Sequence, residues 1–346
     1  MEALRFYGNN DIRYEDAAEP SPAPGQVKIK INLAGICGTD LLRYAPGSNA
    51  ILPNEKPVIM GHEFAGIVTA LGDGVRDFKV GDRVTGLSYW FCGQCYFCRR
   101  GKYNLCLNTD HIGGNVDGCM AEYMVAPTDS LYKLPDSVSD EAGVLVEPLA
   151  VAFRAVSQGN LHTGDTVAII GDGPIGLCSL LAARAAGASA VYMIAKHRGR
   201  GKLALDIGAT EVIYPGDGNP VPSILNLTND IGVDVSIECV GHGHAPLEWG
   251  AHLTRKGGTF VLTGLFIEPV SFQFFPLSFY EKTMVGSSCY VNEMKTVIAL
   301  LADGRIDPGC LITAKVPLKD GIKEGFDKLL TDKENNIKIL LQIPWN

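Results

Sequence analysis

The chain has 346 residues, 46% of them hydrophobic and 20% charged, with a formal net charge of -8. That length exceeds one ordinary core, so two domains are expected. The acidic balance excludes general nucleic-acid binding, which needs a basic face, and no apolar run in the sequence approaches a bilayer-spanning length. The opening MEALRFYGNN has no basic segment followed by an apolar one, so a secretory leader is not expected. Ten cysteines in such a chain point to a reducing, cytoplasmic compartment, where clustered cysteines are metal ligands.

The first 150 residues are expected to be rich in β-strand. Val27, Ile29, Ile31 and Leu33 alternate with Lys28, Lys30 and Asn32, the pattern of a half-buried strand. Cys37 follows in Gly35-Ile36-Cys37-Gly38-Thr39-Asp40, and His62 and Glu63 in Gly61-His62-Glu63-Phe64-Ala65-Gly66. Glycines at 72, 74 and 81 mark turns. Helical periodicity is scarce before residue 138.

Cys92, Cys95, Cys98 and Cys106 then fall within fifteen residues, spaced Cys-x2-Cys-x2-Cys-x7-Cys. Four thiolates on a short loop can close a tetrahedral shell around zinc, and a closed shell is structural rather than catalytic. The lobe spans about 91–107, and Phe91, Tyr96, Phe97 and Tyr103 are expected to pack it. Cys119, Cys178, Cys239, Cys289 and Cys310 are scattered and read as small apolar core residues.

Glu147 precedes Pro148. Cys37, His62 and a carboxylate from Glu63 or Glu147 are suitable types for a catalytic zinc with one open position, although chain distance alone does not bring them together. The His62-Glu63 pair is not a protease motif, because position 66 is glycine where a second histidine is required.

From residue 151 short apolar strands alternate with helical stretches. Strands are predicted at 166–170, 190–194, 233–239 and 259–263, and helices at 174–186 and 201–207. This is a series of βαβ units and a parallel sheet. The first strand runs into Gly171-Asp172-Gly173-Pro174-Ile175-Gly176. Gly171 permits the turn, Gly173 lets the backbone approach a pyrophosphate, and Gly176 lets the helix pack closely. The helix start at Pro174 and Ile175 presents a favourable dipole to phosphate. At the end of the second strand, where an acidic residue would bind the ribose of NAD, stand Ala195, Lys196, His197, Arg198, Gly199 and Arg200. Lys196, Arg198 and Arg200 can pair with a 2′-phosphate, so NADP(H) is favoured, with NAD as the alternative. From residue 290 one helix, 293–302, and a last strand, 337–343, are predicted. His111, His242 and His244 read as surface or core histidines.

Taken together these segments resemble the zinc-dependent medium-chain alcohol dehydrogenases, and most closely their polyol branch: sorbitol, butanediol and threonine dehydrogenases. The resemblance rests on Gly35-x-Cys37-Gly38-Thr39-Asp40, Gly61-His62-Glu63-x-x-Gly66, Val80-Gly81-Asp82-Arg83-Val84, the four-cysteine lobe, Asp117-Gly118-x-x-Ala121-Glu122-Tyr123, Glu147-Pro148 and the glycine fingerprint. It implies an α/β protein: a GroES-like β-barrel catalytic domain (1–150), a doubly wound Rossmann domain (151–289) and a C-terminal segment (290–346) returning to the first. It implies two zincs per chain, Cys37 and His62 as catalytic ligands, and either Glu63 or Glu147 as the third. Thr39 is then placed to take the alcohol proton. Several relatives carry a relay histidine five residues after the zinc cysteine. Here Leu42 stands there, which leaves water, the ribose, Arg43 or Tyr44 as routes. Lys338 is expected near the cofactor phosphates by analogy, or on a solvated strand edge. The expected activity interconverts a secondary alcohol and its ketone, in a homodimer or homotetramer acting on small molecules. The alternatives are a threonine-type or sugar-phosphate dehydrogenase and a non-catalytic nucleotide-binding protein.

Overall fold

The computed structural model describes residues 1–8, 10–45 and 57–344. The chain divides into two compact units, one formed by Met1–Glu147 with Met294–Asn346, the other by Pro148–Glu293.

In the first unit the alternation at 27–33 becomes the strand Gln26–Gly35, with Val27, Ile29, Ile31 and Leu33 on its buried face, as a two-residue side-chain period requires. It is the organising strand of the larger sheet. It pairs antiparallel with Glu63–Leu71, with Tyr123–Pro127 and with the C-terminal strand Lys338–Gln342. Among the described residues that sheet has seven strands, and a three-stranded sheet joins Asp11–Asp16, Glu2–Gly8 and Val58–Ile59. The core between them includes Leu4, Ile29, Ile31, Met60, Phe64, Met120, Phe326 and Leu341.

Several elements were not read individually from the sequence. A short helix, Gly38–Tyr44, follows Cys37. A 19-residue helix, Asp140–Gln158, carries Glu147 and contains Pro148; the missing proline N–H interrupts its hydrogen bonding and masks its periodicity. A strand at Ile312–Pro317 lies parallel to Lys338–Gln342, and its I-T-A-K-V-P alternation was a legible period-two signal.

The second unit is a six-stranded sheet with every neighbour parallel, in the order Glu211–Ile213, Ala190–Ile194, Thr166–Ile170, Val233–Glu238, Thr254–Leu262, Thr283–Gly286. Numbered along the chain this is 3-2-1-4-5-6, the doubly wound order of dinucleotide-binding sheets. The first helix, Pro174–Ala185, agrees with its prediction to one residue. The second spans Arg198–Asp206 and so begins three residues earlier than expected. Arg198 and Arg200 therefore lie in its first turn, while Lys196 precedes it.

Cys119 and Cys178 are buried as expected, but Cys239 and Cys289 are partly exposed and Cys310 is exposed. No helix among the described residues is long and apolar enough to cross a membrane.

Candidate functional site

The chemistry-bearing residues of the first unit gather at one end of its larger sheet. Gly35 ends one strand and is paired in register with Glu63, which begins the next. Cys37 lies just beyond the first strand and His62 just before the second. A side chain at position 35 would meet the Glu63 carboxylate, whose Oε2 is 2.1 Å from where a Cβ would stand. Glycine is there to make room for that carboxylate. The ligand atoms of Cys37, His62 and Glu63 all lie within 4.8 Å of one another.

The Asp40 carboxylate accepts the Cys37 backbone N–H at 3.0 Å and lies 3.8 Å from His62 Nδ1. Burial holds the Asp40 carboxyl above the usual range. For His62, burial disfavours the imidazolium, but the Cys37 thiolate, Asp40 and Glu147 outweigh it and raise the ring well above its ordinary value. Glu147 stands outside the convergent trio. It is buried and raised by burial, and it interacts electrostatically with His62 and Glu63 and by hydrogen bond with Ser88. Thr39 Oγ1 is 3.8 Å from Cys37 Sγ.

Lys338 corrects the sequence reading. It is not on a solvated strand edge: it is 2% exposed, and its Nζ donates to both Glu63 oxygens at 2.8 and 2.7 Å and to the Ile36 carbonyl at 3.0 Å. No local signal announces this partner, 275 residues away in the chain. Arg43 and Tyr44 are also committed elsewhere. The buried Arg43 guanidinium donates to the Gly113 and Gly114 carbonyls and lies over Phe6, and Tyr44 Oη donates to Asp327 at 3.0 Å. Leu42 is exposed on the short helix. His111 is partly buried, and burial and the charge of His62 both lower its pKa. His242 and His244 are exposed in the second unit.

The cysteine lobe forms a second group, with Cys92, Cys95, Cys98 and Cys106 converging within 4.8 Å. The sulfur pairs 95–98, 92–106 and 95–106 are 3.5, 3.5 and 4.0 Å apart. A tetrahedron with zinc–sulfur bonds of ~2.3 Å has edges of ~3.8 Å, so the group fits that ion. Backbone N–H groups, led by that of Cys98, draw the Cys95 thiol down to about 6, while burial pushes Cys98 up to about 12. Phe91 and Tyr103 stack within the lobe at 4.4 Å. Tyr96 is largely exposed, under Arg100.

In the second unit the fingerprint glycines have three separable reasons. Gly171 has φ +109°, open to glycine but strained for other residues. A Cβ on Gly176 would lie 1.9 Å from the Gly171 carbonyl oxygen, so the helix could not pack. Gly173 has an ordinary φ of -73°, and a Cβ there would meet nothing within 4 Å. Neither backbone nor packing explains Gly173; an approaching pyrophosphate does. Pro174 has no N–H, and Gly173 offers no side-chain cap, so the free N–H groups of Ile175 and Gly176 are the first that the helix can present to an anion.

At the end of the second strand Ala195 is buried and Lys196 exposed. Arg198 pairs with Asp217 and lies 3.9 Å over the Tyr214 ring. Arg200 is buried, with Nη1 3.4 Å from the Asp172 carbonyl oxygen. The sequence reading saw no carboxylate here, yet one arrives from the glycine turn. Asp172 is 4% exposed and accepts the His197 backbone N–H at 2.7 Å.

The alcohol dehydrogenase GroES-like domain model matches residues 23–136, and the zinc-binding dehydrogenase model matches residues 174–303. The chain is 33% identical over 345 residues to sorbitol dehydrogenase of Bacillus subtilis, covering 99% of this chain and 97% of that one. The crystal structure of 2R,3R-butanediol dehydrogenase from Bacillus subtilis is similar with a TM-score of 0.91 and 34% identity, covering 99% of each chain. A zinc-binding dehydrogenase from Sinorhizobium meliloti 1021 bound to NADP is similar with a TM-score of 0.90 and 32% identity, covering 99% of this chain and 98% of that one.

Proposed function

Because the chain belongs to the zinc-dependent medium-chain alcohol dehydrogenase family, we propose that it interconverts a secondary alcohol of the polyol or vicinal-diol type with its ketone, using NADP(H). The observation that carries this reading is the convergence of a thiolate, an imidazole and a carboxylate within 4.8 Å, a donor set suited to zinc with an open position.

Cys37, His62 and Glu63 hold the metal in this reading, and Glu147 is the carboxylate beside it. Zinc held there supplies the Lewis acidity that lowers the pKa of an alcohol hydroxyl. NADP supplies the hydride acceptor. Thr39 accepts the substrate hydroxyl's hydrogen bond and starts the proton on its way out. Lys338 fixes the rotamer of Glu63, and Gly35 keeps space for it. Asp40 anchors the Cys37 backbone. Arg43 and Tyr44 have structural partners and Leu42 cannot relay, so the proton would leave through water or through the ribose of a bound cofactor. Four cysteines hold a second, structural zinc.

Glu63→Gln is expected to cost about one zinc per chain, since a neutral amide is a poor zinc ligand. Glu147→Gln is expected to keep the metal and lower kcat by ~10²-fold, the lower range for a proton-handling group. Metal analysis with steady-state rates reads both; the reverse pattern makes Glu147 the direct ligand.

Lys196, Arg198 and Arg200 support NADP over NAD. The Arg198–Asp217 pair is more than half exposed on both sides, and exposed pairs are worth little, so a 2′-phosphate can replace Asp217. A cytoplasmic setting, supported by ten cysteines of the kind kept reduced there, and a homodimer or homotetramer acting on small molecules, not nucleic acid or membrane, complete the reading.

The test is initial-rate oxidation of a panel of polyols and vicinal diols with NADP+ and NAD+ on zinc-replete protein. Turnover of a diol or polyol with NADP+ well above NAD+ is expected. A clear preference for NAD+ overturns the cofactor assignment. Activity confined to threonine or a sugar phosphate overturns the substrate class, and no turnover at all favours a nucleotide-binding protein.

A further inference from the structure

The first variable residue of the glycine fingerprint is an aspartate, and it does something that the fingerprint does not require. Asp172 is buried. Its Oδ2 accepts the His197 backbone N–H at 2.7 Å and lies 3.0 Å from His197 Nδ1, with Oδ1 3.2 Å from the same nitrogen. Its main-chain carbonyl is 3.4 Å from Arg200 Nη1. One residue of the turn that receives the pyrophosphate thus holds, by side chain and by main chain, the segment that receives the adenosine ribose.

We propose that Asp172 is a positioning residue for cofactor selection: it fixes residues 196–200 so that their cations address the 2′ position of the adenosine ribose.

Two physical arguments support it. A carboxylate bonded to a backbone N–H is a strong, charge-assisted anchor, and here it fastens the residue that precedes the helix Arg198–Asp206. Without it a part-buried N–H loses its acceptor and the first helical turn loses its fixed start. Donors held in place bind an anion more tightly than donors that must be ordered on binding. The second argument concerns charge. In doubly wound sheets the acidic residue at the end of the second strand offers its oxygens to the ribose hydroxyls. Here the carboxylate comes from the glycine turn and faces His197 instead, so its lone pairs serve the loop and not the 2′-hydroxyl. Lys196, Arg198 with Asp217, Arg200 and the Tyr214 ring complete the surroundings.

The proposal deepens the NADP reading and rests on it. The experiment measures dissociation constants by calorimetry for NADPH, NADH and the fragment 2′,5′-ADP on the zinc-loaded enzyme, so its readout does not depend on turnover. Asp172→Ala is expected to weaken NADPH and 2′,5′-ADP by ~10-fold, the order expected for losing a charge-assisted anchor, and NADH by much less. Asp172→Asn keeps an oxygen for the His197 N–H and should recover part of the loss. His197→Ala keeps that backbone bond and should lose less than Asp172→Ala. Equal weakening of NADPH and NADH, or no change in either, overturns the proposal. A wild-type preference for NADH overturns the NADP reading by itself, whereas the variant-to-wild-type ratio for the two cofactors tests Asp172 separately. Thermal unfolding of each variant identifies one that has failed to fold, in which case Asp172→Asn and His197→Ala carry the comparison.

Discussion

Cys37→Ser is expected to remove one of two bound zinc ions and to lower kcat/KM by at least about a thousandfold. The trio that converges within 4.8 Å loses its only sulfur, and a serine hydroxyl is not an anionic ligand near neutral pH. Lewis-acid stabilisation of the developing alkoxide is worth several kcal/mol, and roughly 4 kcal/mol is about three powers of ten in rate. The four-cysteine lobe is a separate ligand group, so the second zinc should remain, and NADPH should bind with unchanged affinity because its residues belong to the other compact unit. Metal analysis, steady-state kinetics and cofactor calorimetry check this together. Full activity with a full metal complement would show that Cys37 is not a ligand.

Lys338→Met is expected to be the most destabilising single change at the site. Lys338 and Glu63 are 2% and 1% exposed as side chains and form a bidentate contact at 2.7 and 2.8 Å. Removing one partner of such a buried pair costs about 3–5 kcal/mol, because the other charge is left without compensation. The Ile36 carbonyl also loses its donor. The cost should be visible as a lower denaturant midpoint with little change in slope. In a double-mutant cycle with Glu63→Gln, measured on chelator-treated protein so that metal binding enters no corner, the pair should show a coupling of about 2–3 kcal/mol. Additive single effects would mean that the contact carries no net energy. Bound zinc would partly compensate the orphaned carboxylate, so the same variant should lose less stability when metal is present. Lysine and glutamate together thus hold the buried carboxylate in one orientation.

The parts of the site that were legible in the sequence are those whose geometry is local. Cys92, Cys95, Cys98 and Cys106 reach one point because fifteen residues of loop cannot carry them far apart. Gly171, Gly173 and Gly176 announce a strand–turn–helix because each answers a constraint within the turn: a positive φ, an open approach and a close packing contact. The alternation at 27–33 announced its strand for the same kind of reason. Cys37, His62 and Glu63 were read as a set only through the family resemblance, since the residue types alone did not require them to meet.

What escaped was of two kinds. The helix Asp140–Gln158 was hidden by Pro148, a residue that argues locally against the structure it occupies. The contacts of Lys338, Arg43 and Asp172 were hidden because they depend on register between segments distant in the chain. Lys338 reaches Glu63 because the strand Lys338–Gln342 lies beside Gln26–Gly35 with Leu340 opposite Gly35, and a shift of one residue would turn its side chain to the other face. The sequence by itself therefore determined the family, the four-cysteine group and the dinucleotide turn, because short spacings and backbone requirements restrict which residues can serve. Only the tertiary structure decided which buried charges face one another: Lys338 on Glu63, Arg43 on two carbonyls and Asp172 on His197. Burial makes such charges costly unless they are paired, and the packing of segments distant in the chain determines which partner each one meets.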